Sequence, residues 1–194
     1  MIDDHVFDEE QHRYSRGSVE YISVTQVLGL TGFVDTTWFT EEGRFRGHAA
    51  HLACHYDDLG TLLPDSVHVD FQGYLDAYRK FKSDTGFSVE QSEAPLFDDL
   101  RFLAGTPDKV GTFRGKPRLS IVDIKTGAVA AWTGIQLSGY ELLLARPIPV
   151  GRYGLALRPD GTYALVPFHD HTDCGIFKSA LACAMWQKNH GRKI

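Results

Sequence analysis

The run Leu119-Ser120-Ile121-Val122-Asp123-Ile124-Lys125 constrains this chain more than any other stretch. Its middle is apolar and β-branched, which fits a strand covered on both faces. Yet it ends in Asp-x-Lys. Asp123 and Lys125 stand at i and i+2, so they project from one face, with Ile124 opposite. Charges at the end of a buried strand are costly unless they are paired or bound to metal. Either a rim ion pair or a cation site would account for them.

A second acid precedes this run. In Gly105-Thr106-Pro107-Asp108, Pro107 has no amide hydrogen for a ladder and restricts Thr106 to extended geometry. The chain is therefore expected to leave regular pairing just before Asp108. A simple turn aspartate is the other reading. If the strands flanking the intervening Gly-rich turn are antiparallel neighbours, Asp108, Asp123 and Lys125 meet at one edge of a sheet. Two carboxylates can hold a hard divalent cation, and the Ile124 carbonyl could point at the same ion. A lysine beside them can orient or deprotonate a water attacking a phosphodiester, as metal-assisted phosphoryl hydrolysis requires.

The rest of the chain reads as alternating patterns. His12-Arg13-Tyr14 and Tyr21-Ile22-Ser23-Val24 flank a turn and predict a hairpin, followed by a short helix over 26–30 capped by Ser23 or Thr25. Helices are predicted from about Thr40 to Leu59, stopping at Gly60, and from about Val69 to Ser83, with Phe71, Leu75, Tyr78 and Phe81 on one stripe. Strands are predicted over Phe87–Glu93, Leu100–Val110 and Leu119–Lys125. A helix over Thr133–Ala145 would bury Ile135, Leu142 and Leu143. A hairpin joins Arg152–Leu157 to Tyr163–Val166 around Pro159-Asp160-Gly161, and a last helix covers Thr172–Asn189.

Other residues are candidates for the same chemistry. His48, His51 and His55 share a helix face, but successive turns spread them too far for a compact three-histidine site; one of them recruited to the acids is the better fit. Glu93, on the strand before Asp108, is either a metal ligand or an exposed strand charge. Gln136 and Tyr140 lie one turn apart just after the Asp-x-Lys strand, where they would face the site or simply pack. His169-Asp170-His171 with Asp173 has metal-like composition, but Asp170 is placed to cap the last helix.

The bulk numbers set limits. The 194 residues fit one domain, and no apolar run is long enough to span a bilayer, so a cytoplasmic location and no membrane partner are expected. Three cysteines without a CxxC read as free buried thiols. The net charge of −5 is unevenly spread: residues 1–110 carry nine Lys/Arg and twenty Asp/Glu, residues 111–194 eleven and five. Any basic surface is therefore local and mostly C-terminal.

Taken together, these motifs resemble the PD-(D/E)XK nuclease superfamily in its RecB-like exonuclease branch. Arg46-Gly47-x-x-x-His51 is similar to that branch's helical motif. Glu93 is similar to its upstream strand acid, and Gly105-Thr106-Pro107-Asp108 to its Gly-x-x-Asp. Asp123-Ile124-Lys125-Thr126-Gly127 resembles its Asp-x-Lys-Thr, and Gln136-x-x-x-Tyr140 its following helix. Pro107 stands where an aliphatic residue is commoner. The opening Tyr21 to Leu28 resembles small phage or prophage members. The resemblance implies an α/β fold: a restriction-endonuclease-like core over 41–194 with a central mixed β-sheet flanked by helices, and an N-terminal hairpin and helix over 1–40. It implies Mg²⁺ or Mn²⁺ held by His51, Asp108, Asp123 and the Ile124 carbonyl, with Glu93 and Gln136 supporting catalysis and Lys125 positioning or activating water. DNA is the implied substrate, with Arg46, Arg114, Lys116 and Arg118 assigned to phosphates and Trp132 and Tyr140 to bases by location. Exonuclease action in recombination, repair or phage DNA processing, in a bacterial or phage-infected cell, is the implied setting. A homo-oligomer or a recombination partner protein goes with it. The alternative is a catalytically silent DNA-binding module or interaction protein.

Overall fold

In the computed structural model, residues 4–8, 11–34, 40–63 and 65–191 are described. The elements run β1 (His5–Asp8), β2 (Arg13–Arg16), β3 (Val19–Ser23), α1 (Val24–Leu30), α2 (Glu41–Leu59), α3 (Val69–Thr85), β4 (Ser88–Ser92), β5 (Leu96–Asp98), β6 (Leu103–Gly105), β7 (Lys109–Phe113), β8 (Lys116–Lys125), α4 (Thr133–Leu144), β9 (Gly151–Leu157), β10 (Tyr163–Pro167) and α5 (Asp173–His190). The strands form two mixed sheets, ordered β1-β2-β3-β6-β5 and β10-β9-β8-β7-β4.

The second sheet is the expected central one. Strand β8 pairs antiparallel with β7 and parallel with β9, and α4 makes the crossover between the parallel pair. Its apolar middle is covered on both faces, as the composition requires. Ile121 packs in a core with residues of α1, α4 and α5, while Val122 and Ile124 pack against α2 and α3. Ser23 caps α1 with a full capping box, its hydroxyl accepting from the Gln26 amide and the Gln26 side chain accepting from the Ser23 amide.

Three expectations are corrected. Leu100–Val110 is not one strand: β6 and β7 belong to different sheets, and the chain crosses between them at Thr106-Pro107-Asp108, where proline interrupts the ladder. Helix α4 is not amphipathic, being buried without a break from Thr133 to Tyr140, whereas Leu142 is only partly covered. Its glycines make this possible: a Cβ at Gly139 would meet Phe177 at 2.6 Å and Val24 at 2.8 Å. The cysteines are free, but only Cys54 is buried; Cys174 is half-buried, and Cys183 is exposed on the outward side of α5.

Candidate active site

The open end of the β7–β8 hairpin gathers the charged residues. Lys109 pairs with Val122, so Asp108, one residue before β7, reaches the level of Asp123 and Ile124. Its Oδ2 accepts from the Ile124 amide at 2.6 Å, which fixes the carboxylate against the strand. Strand β4 delivers Glu93 alongside: the Glu93 amide donates to the Asp108 carbonyl at 3.0 Å. Helix α2 lies across the same end. His51 Nδ1 is 3.4 Å from Glu93 Oε1 and 3.6 Å from Asp108 Oδ1, and Nε2 is 3.1 Å from the Ile124 carbonyl. Ligand atoms of His51, Glu93 and Asp108 all lie within 4.8 Å of one another, the tightest such group among the described residues.

The Ile124 carbonyl thus faces a ring nitrogen of His51. Protonated, His51 donates from Nε2 to that carbonyl and from Nδ1 toward the two acids; loss of the Nδ1 proton would free a lone pair for a cation among them. A backbone acceptor commonly orients a ligating histidine in this way.

Asp123 stands beside the trio, fully buried, with Oδ2 2.6 Å from Lys125 Nζ but without the alignment of a hydrogen bond. The rim ion pair and the acid cluster therefore exist together. Lys125 also donates to Gln136 Oε1 at 3.3 Å, and Gln136 Nε2 donates to the Tyr140 hydroxyl at 3.2 Å. Nζ lies 5.2 Å from the Trp132 ring centroid.

The local field is negative. Burial pushes Asp123 up to about 6, helped by Asp108 and opposed by Lys125. Burial likewise raises Asp108, and Glu93 adds to it against His51, Lys125 and the Ile124 amide. Burial would lower His51, but Asp108, Glu93 and Asp123 outweigh it and hold the imidazole up to about 9. Lys125 is raised too: burial opposes its charge, and Asp123 and Asp108 more than offset it. Such perturbed groups in one cluster make it a candidate functional site.

Several assigned residues are placed elsewhere. Strands rise ~3.4 Å per residue, so Arg114, at the turn of the β7–β8 hairpin, is roughly 20 Å from Asp108, and Lys116 and Arg118 are at that same far end. There Lys116 lies over the Phe113 ring and Arg118 donates to the Pro149 and Val150 carbonyls. Tyr140 is 4% exposed, which leaves no face for a base; its ring packs under Gly105, where a Cβ would come within 2.9 Å of it. Arg46 is half-buried on α2 near the site, and its Nε has no hydrogen-bond partner. His48 is exposed, and His55 meets Ser92 Oγ at 2.9 Å. Asp170 accepts from the Thr172 amide and hydroxyl just before α5, as a turn, while Asp173 pairs with buried Arg152 at 3.1 Å.

Sequence reasoning missed an open cleft of about 390 Å³ that begins at Thr126, next to Lys125. The loop through Gly127 and Val129 forms one wall, and Ala156, Arg158 and Ala164 line the other. Lys125 pairs with Ala156 in the parallel register, so Ala156, and Arg158 two residues on, share the face of Asp123 and Lys125. Only the strand register reveals this, because these residues are far apart in sequence.

No protein-family model and no curated relative matches the sequence. Solved structures match by shape. A provisionally named exonuclease of Eubacterium rectale aligns with a TM-score of 0.54 at 12% identity, covering 91% of this chain and 84% of its own. An alkaline exonuclease of Laribacter hongkongensis aligns at 0.48 and 10% identity, covering 87% and 88%. Its complex with dAMP aligns at 0.46 and 14% identity, covering 87% and 88%. At such identities the likeness is one of fold, and it agrees with the two mixed sheets and five helices among the described residues: the chain has a restriction-endonuclease-like α/β fold.

Proposed function

We propose that this protein is a divalent-cation-dependent deoxyribonuclease that hydrolyses phosphodiester bonds, acting as an exonuclease. The observation that carries the reading is the convergence of His51, Glu93 and Asp108 at one strand end, with Asp123 and Lys125 beside them. The donor set fits a cation. Glu93 Oε1 is buried without a hydrogen-bond partner, and leaving such an oxygen unsatisfied is costly. Carboxylates with a single imidazole suit Mg²⁺ or Mn²⁺.

His51 Nδ1, Glu93, Asp108 and Asp123 are the residues to hold the ion, with Ile124 orienting His51. When bound, the ion supplies Lewis-acid polarisation of the scissile phosphate and a lowered pKa for water. The chain's own groups do the rest. In the ion-free site Asp123 and Asp108 favour the ammonium form of Lys125. A general base would need the opposite shift. With that charge Lys125 orients water and stabilises developing negative charge, the positioning half of the role expected of it. Gln136 holds the ammonium in place, and Tyr140 holds Gln136. Trp132 and Arg46 flank the site as base and phosphate contacts, and the Arg158 cleft gives the DNA strand a path away from Lys125.

The test is digestion of linear duplex, circular duplex and single-stranded DNA with Mg²⁺, Mn²⁺ or chelator. Cation-dependent loss of linear but not circular DNA is expected. Cleavage of circles would replace exonuclease with endonuclease. DNA retention without cleavage would favour the silent binding module, and full activity in excess chelator would refute the cation site.

A further inference from the structure

The aim of the Glu93 carboxylate is set from the opposite face of the sheet. Where β4 pairs with β7, Val89 opposes Gly111, but Gln91 opposes Val110 and Ser92 opposes Lys109, so Glu90 is left over as a bulge. A bulge shifts the alternation of faces by one residue. Beyond it, Ser92 turns with Lys109 toward α2 and α3, and Glu93 turns to the face that carries Asp108. A regular strand would have turned Glu93 the other way. The Glu93 backbone has a φ of 51°, a region that residues other than glycine seldom enter and keep only when their surroundings enforce it.

Lys109 lies beneath the residue before that turn. Its side chain is 0% exposed. Nζ donates to Ser92 Oγ at 2.6 Å and lies 3.1 Å from Asp58 Oδ2 on α2. Ser92 Oγ in turn meets His55 Nδ1 at 2.9 Å, one helical turn along α2 from His51. One ammonium and one hydroxyl thus tie together the three segments that carry Glu93, Asp108 and His51. Stability alone does not explain such a group, because apolar residues of similar volume often replace a buried ion pair without loss.

We propose that Lys109 is a positioning residue: acting through Ser92, it holds the Glu93 carboxylate on the ligand face and so sets the affinity for the divalent cation. This rests on the cation-binding reading above.

Calorimetric titration of Mn²⁺ into the full chain tests it. Ser92→Ala keeps the Lys109–Asp58 pair and removes the hydroxyl's contacts with both Lys109 and His55. It is expected to weaken Mn²⁺ binding about tenfold, the lower range for loss of an outer partner, with a melting temperature close to wild type. Ser92→Thr, which keeps the hydroxyl, should bind nearly normally. The double variant Lys109→Met/Asp58→Asn breaks the Lys109 link alone, leaving His55 on Ser92 and no bare buried charge, and should show the same loss, which covers the case of an unstable Ser92→Ala. In a Glu93→Gln background, Ser92→Ala should cost nothing further, because the two act as a unit. Wild-type affinity in Ser92→Ala and in the double variant, or an undiminished loss in the Glu93→Gln background, would overturn the proposal alone. No Mn²⁺ binding by the wild type would overturn the cation reading and this proposal together.

Discussion

Two clusters of buried charge lie next to each other along α2, and they are built on opposite principles. In the first, around Asp57 and Asp58, every carboxylate has its cation inside the protein. Asp57 bonds Lys82 and Arg79 at 2.8 Å each, and Asp58 meets Lys82 at 2.8 Å, Lys109 at 3.1 Å and the Tyr78 hydroxyl. Burial works against the Asp57 charge, yet Lys82 and Arg79 pull its pKa below the ordinary value. In the second, around His51, Glu93, Asp108 and Asp123, burial wins: Asp108 and Asp123 are raised, and Glu93 Oε1 has no hydrogen-bond partner. The same residue types are complete in one place and one cation short in the other. The first cluster is neutralised by its own cations; the second is the proposed cation site, where such an imbalance is expected to cost stability.

The largest expected effect is on chemistry. Lys125→Ala should lower kcat by on the order of 10²–10³, the scale for losing one electrostatic stabiliser, while circular dichroism shows an intact fold. Asp108→Asn should remove Mn²⁺ binding and cleavage together. Normal turnover by folded Lys125→Ala would take that residue out of the mechanism.

Stability should separate the clusters next. Asp58→Asn leaves Lys109 buried without its counter-ion and should cost about 3–5 kcal/mol in urea unfolding. Asp108→Asn relieves crowding among like charges and should hold or gain stability in chelator. Equal destabilisation by both would erase the distinction between the clusters.

Proton linkage gives a smaller, signed effect. Asp123, held at about 6 against an ordinary 3.8, and His51, held at about 9 against 6.5, carry more protons folded than unfolded. Stability of the chelated protein should therefore fall as pH rises, across roughly 4–6 for Asp123 and 6.5–9 for His51. Thermal melts across this range check the slope, and Mn²⁺ should flatten it by replacing the protons. A melting temperature that rises from pH 6.5 to 9 in chelator would contradict the assignment.

The smallest effect concerns substrate. Arg158→Ala should raise KM for DNA several-fold, with the difference shrinking at high salt, whereas Arg114→Ala, at the far end of the hairpin, should leave KM unchanged. The reverse pattern would move the DNA path away from the cleft at Thr126.

Asp108 and Asp123 were legible in sequence because strand alternation fixes their faces over short separations; helix period put His48, His51 and His55 on one face, and the family resemblance alone singled out His51. The break at Pro107 was legible too. Glu93 was legible as a residue but not in its direction, since the bulge at Glu90 leaves no signature in an otherwise regular strand pattern. Arg114, Lys116 and Arg118 were misplaced because closeness in sequence was taken for closeness in space, although an extended strand carries a residue away from its neighbour quickly. Tyr140 was assigned to bases by its place just after the Asp-x-Lys strand, but α4 is buried on every side there. Lys109 and Arg158 depend on pairing between distant strands, and local sequence does not encode that pairing.

The most direct measurement is an anomalous difference map from a crystal of this protein soaked in Mn²⁺. A peak within ligand distance of His51 Nδ1, Glu93 and Asp108 is predicted, lost when Asp108→Asn is soaked in the same way. A well-ordered site with no peak there, or a peak that survives Asp108→Asn, would contradict the account.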